Sequence, residues 1–343
     1  MKKFFALMAM TLLVLGGLTA CSSTPAEEPT TIADLVVLFV PSRDPGLITE
    51  ATEPLKQLLI DSLATKGITV ENVTIEVTTD YNAAGEALAA GTAQVGFLPG
   101  GTYVAYHEDG VEVILAATRA GLNKDSLTPS DWNDGLPTEG DSANQVTYYR
   151  SLIYAGPSEY GRTLAAKVNA GEALTWDDVN SAKWCVNSSS TSSSGYIYPT
   201  LWLMDNFDKK ITDLASATMI GGYSDIANAL ATETCDVGVG YADIRRDYAD
   251  KWMTEWGRTE DIWNETDVIG VTEGIFNDTI SVSLNSPDYS EKLATALQEA
   301  FIEIAQTDAG KEAIAIYNHE GYQVVTDADY DGARKAADVV QAS

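Results

Sequence analysis

Asn187-Ser188-Ser189-Ser190-Thr191-Ser192-Ser193-Ser194-Gly195-Tyr196-Ile197-Tyr198-Pro199 follows a short apolar run and leads into Thr200-Leu201-Trp202-Leu203-Met204, which has a helical pattern. The order is strand, hydroxyl-rich loop, helix N-terminus. The first backbone N–H groups of a helix have no internal partner and sit at the positive end of its dipole, so such a loop attracts anions. Every residue from Ser188 to Ser194 is Ser or Thr. That run supplies neutral donors and no permanent charge, which suits reversible capture of an oxyanion. A flexible Ser-rich linker is the competing reading, but a linker would be flanked by more polar sequence rather than by an apolar strand and an aromatic helix.

Strand and helix patterns alternate on both sides of this loop. Before it, Ala33–Val40, Val70–Thr78, Ala93–Leu98 and Val111–Thr118 read as strands, and Pro45–Lys66, Tyr81–Ala90 and Gly100–Tyr106 read as helices. Around it, strands are expected at Lys183–Val186, Ala217–Gly221 and Asp236–Gly240, with helices at Ser194–Asn206, Ser224–Ala231 and Asp243–Asp250. Alternation of this kind argues for α/β architecture with parallel sheets, whose ligands collect outside the carboxyl ends of the strands. Roughly 310 residues beyond the leader and tether are too many for one small domain and fit two.

Two long strand patterns, Val146–Tyr154 and Asn277–Ser283, are the expected crossings by which the chain leaves a first lobe and returns to it. The first lobe is then 33–152 plus 284–343, closed by helices at Tyr289–Gln306, Ala309–Tyr317 and Tyr330–Val340, and the second is 153–283. Residues 121–145 are polar, with a lone Trp132, and read as a surface excursion.

Loops of the first lobe at strand carboxyl ends hold Ser42, Thr79 with Tyr81, and Thr102 with Tyr103. Each hydroxyl could be a simple helix N-cap. Three such loops at one sheet edge favour a pocket, with Tyr81 and Tyr103 as aromatic walls.

At the N-terminus, Lys2-Lys3, an apolar run from Phe4 to Leu18 and small residues before Cys21 form a signal-peptide layout over residues 1–20 rather than a membrane span. Leu18-Thr19-Ala20-Cys21 resembles a lipobox, which implies cleavage before Cys21, lipidation of its sulfur and an anchor in the cell membrane. Residues 21–32 then read as the tether.

The formal net charge of −29 becomes about −31 without Lys2 and Lys3, which argues against nucleic acid as a partner. It leaves an anionic small ligand open, because exposed charges are screened beyond about 8–10 Å at physiological salt.

Taken in order, Tyr149-Arg150-Ser151, Thr191-Ser192-Ser193-Ser194-Gly195-Tyr196, Gly221-Gly222-Tyr223, Asp236-Val237-Gly238-Val239-Gly240-Tyr241-Ala242-Asp243, Asn277-Asp278-Thr279-Ile280 and Thr326-Asp327-Ala328-Asp329-Tyr330 resemble the phosphonate/phosphite (PhnD-type) solute-binding proteins of ABC importers over nearly the whole mature chain. The resemblance implies a type II periplasmic-binding-protein fold, two α/β lobes joined by a two-strand hinge. It implies an extracytoplasmic receptor that delivers a small phosphorus oxyanion, a phosphonate or phosphite, to a permease and its ATPase, with no cofactor and as a monomer. Carried over residue by residue, Thr191, Ser192 and Ser194 grip the phosphoryl oxygens, with Ser190 and Ser193 as alternative registers. Tyr223 stands where the family tends to have a His, and Asp243 reads the remaining substituent. Phosphate, a sulfonate or a thiamine-like precursor are the alternative ligands, and a sensory receptor the alternative role, because fold alone does not separate them.

An enzyme is not expected. The chain has two histidines, His107 and His319, and no Gly-x-Ser-x-Gly elbow, so neither a serine hydrolase nor a transition-metal site is indicated. Cys185 and Cys235 remain once Cys21 is lipidated, in a compartment where disulfides persist, and are expected to bond to each other.

Overall fold

The computed structural model describes residues 31–342; the leader and Cys21 lie outside them. In chain order the strands that build the two lobes are β1 (Leu35–Phe39), β2 (Val73–Val77), β3 (Val95–Leu98), β4 (Val111–Leu122), β5 (Gly140–Val146), β6 (Tyr148–Tyr149), β7 (Ser151–Ala155), β8 (Trp184–Asn187), β9 (Ala217–Ile220), β10 (Val237–Tyr241), β11 (Asp267–Val271), β12 (Ile275–Phe276), β13 (Thr279–Ser283) and β14 (Gly321–Val324). The first lobe's seven-stranded sheet runs β14-β4-β13-β3-β1-β2, with β5 pairing to β4. The second lobe's sheet runs β9-β8-β10-β7-β11, and β6 pairs with β12 as the two-strand connection between lobes.

Alternate residues of β1 bury into different cores. Val37 and Phe39 join Leu55, Leu59 and Leu63 of one helix and Leu293, Leu297 and Phe301 of another. Leu38 meets Tyr81, Leu88 and Tyr103 on the opposite face. Burial on both faces is what makes these strands read as continuous apolar runs.

The sheets are mixed rather than parallel. β13 is antiparallel to β3 and β4, and β14 is antiparallel to β4; in the second lobe β7 is antiparallel to β10 and β11. Strand membership also moves the lobe boundary. Thr279–Ser283, expected to end the second lobe, is a central strand of the first, while Ser151 and Leu152 already belong to the second. The long expected strand Val146–Tyr154 is three pieces, because the chain changes sheets at Thr147 and Arg150. The expected helix Pro45–Lys66 is likewise two, Pro45–Thr52 and Leu55–Thr65, divided at Pro54, whose ring removes an N–H and crowds the preceding turn.

The excursion at 123–139 is anchored, not free. Trp132 is buried in the second lobe's core with Tyr154, Trp263 and Val268. Asn133 clasps β11 from both sides, donating to the Val268 carbonyl (2.9 Å) and accepting from its N–H (2.7 Å).

β8 and β10 are parallel neighbours, and Cys185 on the first is disulfide-bonded to Cys235 just before the second, with Cα atoms 5.9 Å apart and 50 residues between them in sequence. A loop of this length corresponds to about 4 kcal/mol in the chain-entropy model. The double variant Cys185→Ser/Cys235→Ser should therefore unfold at clearly lower urea concentration than the oxidised protein. An unchanged midpoint would show that the bond contributes little.

Candidate binding site between the lobes

Strand direction brings six segments of the first lobe to one sheet edge. Ser42 and Arg43 follow β1, Tyr81 follows β2, Pro99 follows β3 and Arg119 lies near the carboxyl end of β4. The antiparallel strands contribute from their starts, with Asp278 before β13 and His319 before β14. The second lobe presents Ser192, Ser193 and Ser194 after β8, Tyr223 after β9 and Tyr241 at the end of β10. These groups, together with Tyr149 of the connection, enclose a cavity of about 40 Å³.

The hydroxyl loop is held in detail. Tyr196 and Ile197 N–H both bond the Ser192 carbonyl (3.0 Å each), so the helix that continues as Tyr198–Phe207 starts with a wide turn over Ser193–Ile197. The Ser192 and Ser194 hydroxyls both meet the Tyr223 hydroxyl (3.1 and 2.8 Å), and Ser151 fixes the loop by donating to the Ser194 carbonyl (2.7 Å). Gly195 is required by space: a Cβ there would lie 2.5 Å from that of Asn187 and 2.8 Å from the Ser192 hydroxyl.

Across the cleft the Gly101 N–H donates to Ser193 Oγ (3.0 Å). Thr191 donates to Asn82 Oδ1 (2.9 Å) and lies 3.2 Å from the Thr102 hydroxyl. Gly101 allows this approach, since a Cβ would be 2.5 Å from the Thr191 carbonyl oxygen. Arg43 adds an ion pair to Asp247 of the second lobe (2.7 Å), and Tyr241 donates to the same carboxylate (2.6 Å).

One wall of the cavity is charged. Arg119 Nη2 donates to Asp278 Oδ2 and its guanidinium stacks over Tyr149, 4.5 Å from the ring centre. His319 Nε2 is 3.6 Å from the same carboxylate oxygen. Burial pushes the Asp278 carboxyl up, but Arg119 and His319 outweigh it and hold the group below the ordinary carboxylate range. Burial also lowers His319, against the pull of Asp278, so its ring is neutral at pH 7. Tyr81 is fully enclosed, and burial raises its hydroxyl well above the ordinary value; it remains a donor at every physiological pH.

Of the residues singled out from sequence, Ser42, Tyr81, Ser192, Ser193, Ser194 and Tyr223 line this cavity. Thr191 and Thr102 bond to each other as a contact between lobes, and Ser190 is exposed. Tyr103 is committed elsewhere: it donates to Asp327 (2.8 Å) and meets His107 Nδ1 (3.0 Å).

Asp243 requires a correction. Its carboxylate is fully buried against Arg245 (Oδ2–Nη2 2.7 Å), accepts from Thr138 (2.9 Å) and Tyr154 (3.1 Å), and caps the following helix by accepting from Arg245 N–H (3.1 Å). With its acceptors used inside the second lobe, it reads no ligand. Arg43, Arg119, Tyr149, Asp278 and His319 line the cavity without having been anticipated there. Asp278 was visible within the Asn277-Asp278-Thr279 segment, but as part of a crossing strand.

A two-lobed α/β fold with a small polar cavity at its strand ends defines a solute-binding protein of the type II periplasmic architecture. The chain belongs to the family of ABC-transporter phosphonate periplasmic substrate-binding proteins, whose model matches residues 37–330; it is the binding component of an importer and not an enzyme.

Among curated proteins it is 24% identical over 337 residues to the phosphate-import protein PhnD of Mycolicibacterium smegmatis, covering 94% of this chain and 91% of the relative. Among solved structures it is similar in fold to the binding component of an ABC phosphonate transporter from Pseudomonas aeruginosa (TM-score 0.62, 14% identity, 90% of this chain and 87% of that one). It is also similar in fold to PhnD1 of Prochlorococcus marinus in complex with methylphosphonate (TM-score 0.60, 11% identity, 90% and 98%).

Breaking a buried ion pair from one side typically costs about 3–5 kcal/mol, because the other charge is left without a partner. Asp243→Ala should therefore lose that order of stability in denaturant titration while the folded fraction binds ligand as the wild type does. A selective loss of affinity at unchanged stability would return Asp243 to the ligand site.

Proposed function

We propose that the cavity captures a small phosphorus oxyanion, a phosphonate or phosphite, between the lobes. The observation that carries this reading is the convergence of neutral donors from both lobes on one small space: the Ser192, Ser193 and Ser194 hydroxyls and Tyr223 from the second, Ser42 and Tyr81 from the first. Hydroxyls and a helix N-terminus stabilise an oxyanion without a permanent counter-charge, which favours release to a permease. About 40 Å³ holds on the order of three water-sized groups. That matches the three oxygens of a phosphonate or phosphite and leaves little room for a thiamine-like precursor. Arg119 and Asp278 bound the space further.

Inorganic phosphate is the second reading. The Mycolicibacterium smegmatis relative is named for phosphate import, and the same hydroxyls would serve the oxygens of either anion.

We place a signal peptide over residues 1–20 and a lipid on Cys21, so that the monomeric receptor is held at the membrane beside its permease and ATPase. None of the described helices is long and apolar enough to cross a membrane. Cys21→Ser should release the protein from the membrane fraction or leave it unprocessed, and unchanged fractionation would count against a lipid tether.

Calorimetry against phosphite, methylphosphonate, 2-aminoethylphosphonate, phosphate and sulfate tests the ligand. A hydrogen bond to a charged group contributes about 1.5–3 kcal/mol, so Tyr81→Phe and Ser194→Ala should each weaken the best phosphorus ligand roughly ten- to a hundred-fold. Preference for sulfate, or wild-type affinity in both variants, would contradict the assignment.

A further inference from the structure

The cavity holds one group that an anion site built only for capture would not contain. Asp278 lines it with its Oδ2 engaged by Arg119 and 3.6 Å from His319, while no donor among the described residues reaches Oδ1. An acceptor-only carboxylate oxygen beside a bound oxyanion repels it unless the oxyanion brings a proton. The charge balance points the same way. Arg119 cancels Asp278, and Asp247 cancels Arg43, so the cavity offers dipoles and no surplus positive charge.

The other titratable groups facing Asp278 are His319 and the tyrosines Tyr81, Tyr149, Tyr223, Tyr317, Tyr322 and Tyr330. Burial holds His319 neutral at pH 7 and above, and it keeps the tyrosines protonated through the same range.

We infer that Asp278 is the specificity-determining residue of the site: it accepts a hydrogen bond from a protonated P–OH, so the ligand binds as its singly protonated form and a fully ionised tetrahedral anion such as sulfate is rejected. This inference rests on the reading of the cavity as a phosphorus-oxyanion site. No bond is made or broken; the ligand keeps its proton and shares it with Oδ1. The selectivity is by exclusion, since an unpaired acceptor placed against the wrong partner discriminates more strongly than one more favourable contact.

The test is affinity against pH. Because a phosphoryl group's second ionisation falls near neutrality, wild-type affinity for methylphosphonate should drop close to tenfold per pH unit between pH 8 and 9.5, with one proton taken up per ligand at the top of that range. Uptake is read from the dependence of the calorimetric heat on buffer ionisation enthalpy. His319→Gln should keep that uptake, which separates the carboxylate from the imidazole. Asp278→Asn, whose amide can donate, should flatten the pH profile and gain sulfate affinity of at least tenfold.

Constant wild-type affinity over the range, zero proton uptake, loss of uptake in His319→Gln, or an Asp278→Asn protein that still excludes sulfate and keeps the slope would each overturn the inference. Should Asp278→Asn not fold, the proton count of the wild type and of His319→Gln decides alone. Failure of every phosphorus ligand to bind at pH 6 would instead overturn the underlying reading of the cavity, whereas binding at pH 6 without pH dependence overturns only the role of Asp278.

Discussion

The return of the chain as β13, antiparallel between β3 and β4, is the constraint on which the rest of the structure depends. A strand in the middle of the first sheet cannot be reached until everything before it has been placed, so the second lobe is an insertion rather than an appendage. Because β13 runs against its neighbours, its start lies at the same edge as their ends. Asp278 thereby joins Ser42, Tyr81 and Arg119 without a loop of its own, and β14 brings His319 by the same geometry. The two-stranded β6–β12 connection places the second lobe's loop edge opposite.

What the sequence disclosed follows from which features are local. Alternating strand and helix patterns, the hydroxyl run after β8 and the two-cysteine pairing within the second lobe are each read within a few tens of residues. Ser192, Ser193, Ser194, Tyr81 and Tyr223 were legible for this reason. Arg119 stands one residue past an expected strand that ended at Thr118, whereas β4 continues to Leu122. Asp278 looked like part of a strand, and His319 like an isolated ring. The three meet only through antiparallel pairing of segments about 160 and 40 residues apart in sequence. Asp243 failed in the opposite way. Its position after a strand and before a helix is shared by a ligand group and by an N-cap, and the partner that decides between them, Arg245, lies two residues on.

An acidic protein that captures an anion is consistent with this arrangement because the two effects act at different ranges. Surface carboxylates are screened within about 8–10 Å, whereas hydroxyls, helix amides and the Arg119–Asp278 pair act across direct contacts inside the closed cleft. Beside the apolar packing of Ala336 and Ala337 of the C-terminal helix against the second lobe's core, the lobes meet through short polar links, Thr191 to Asn82 and Thr102, Ser193 to Gly101, and Arg43 to Asp247. Such links are individually modest and exchangeable with water, which suits a cleft that must open as well as close. The disulfide and the buried Asp243–Arg245 pair lie within the second lobe and outside the cleft.

A crystal structure of the protein grown with methylphosphonate tests the central claim most directly. The account predicts the phosphoryl group between the lobes, its oxygens within hydrogen-bond distance of the Ser192, Ser193 and Ser194 hydroxyls and of Tyr81, with one oxygen against Asp278. Ligand density elsewhere, or a phosphoryl group held without the hydroxyl loop, would contradict it.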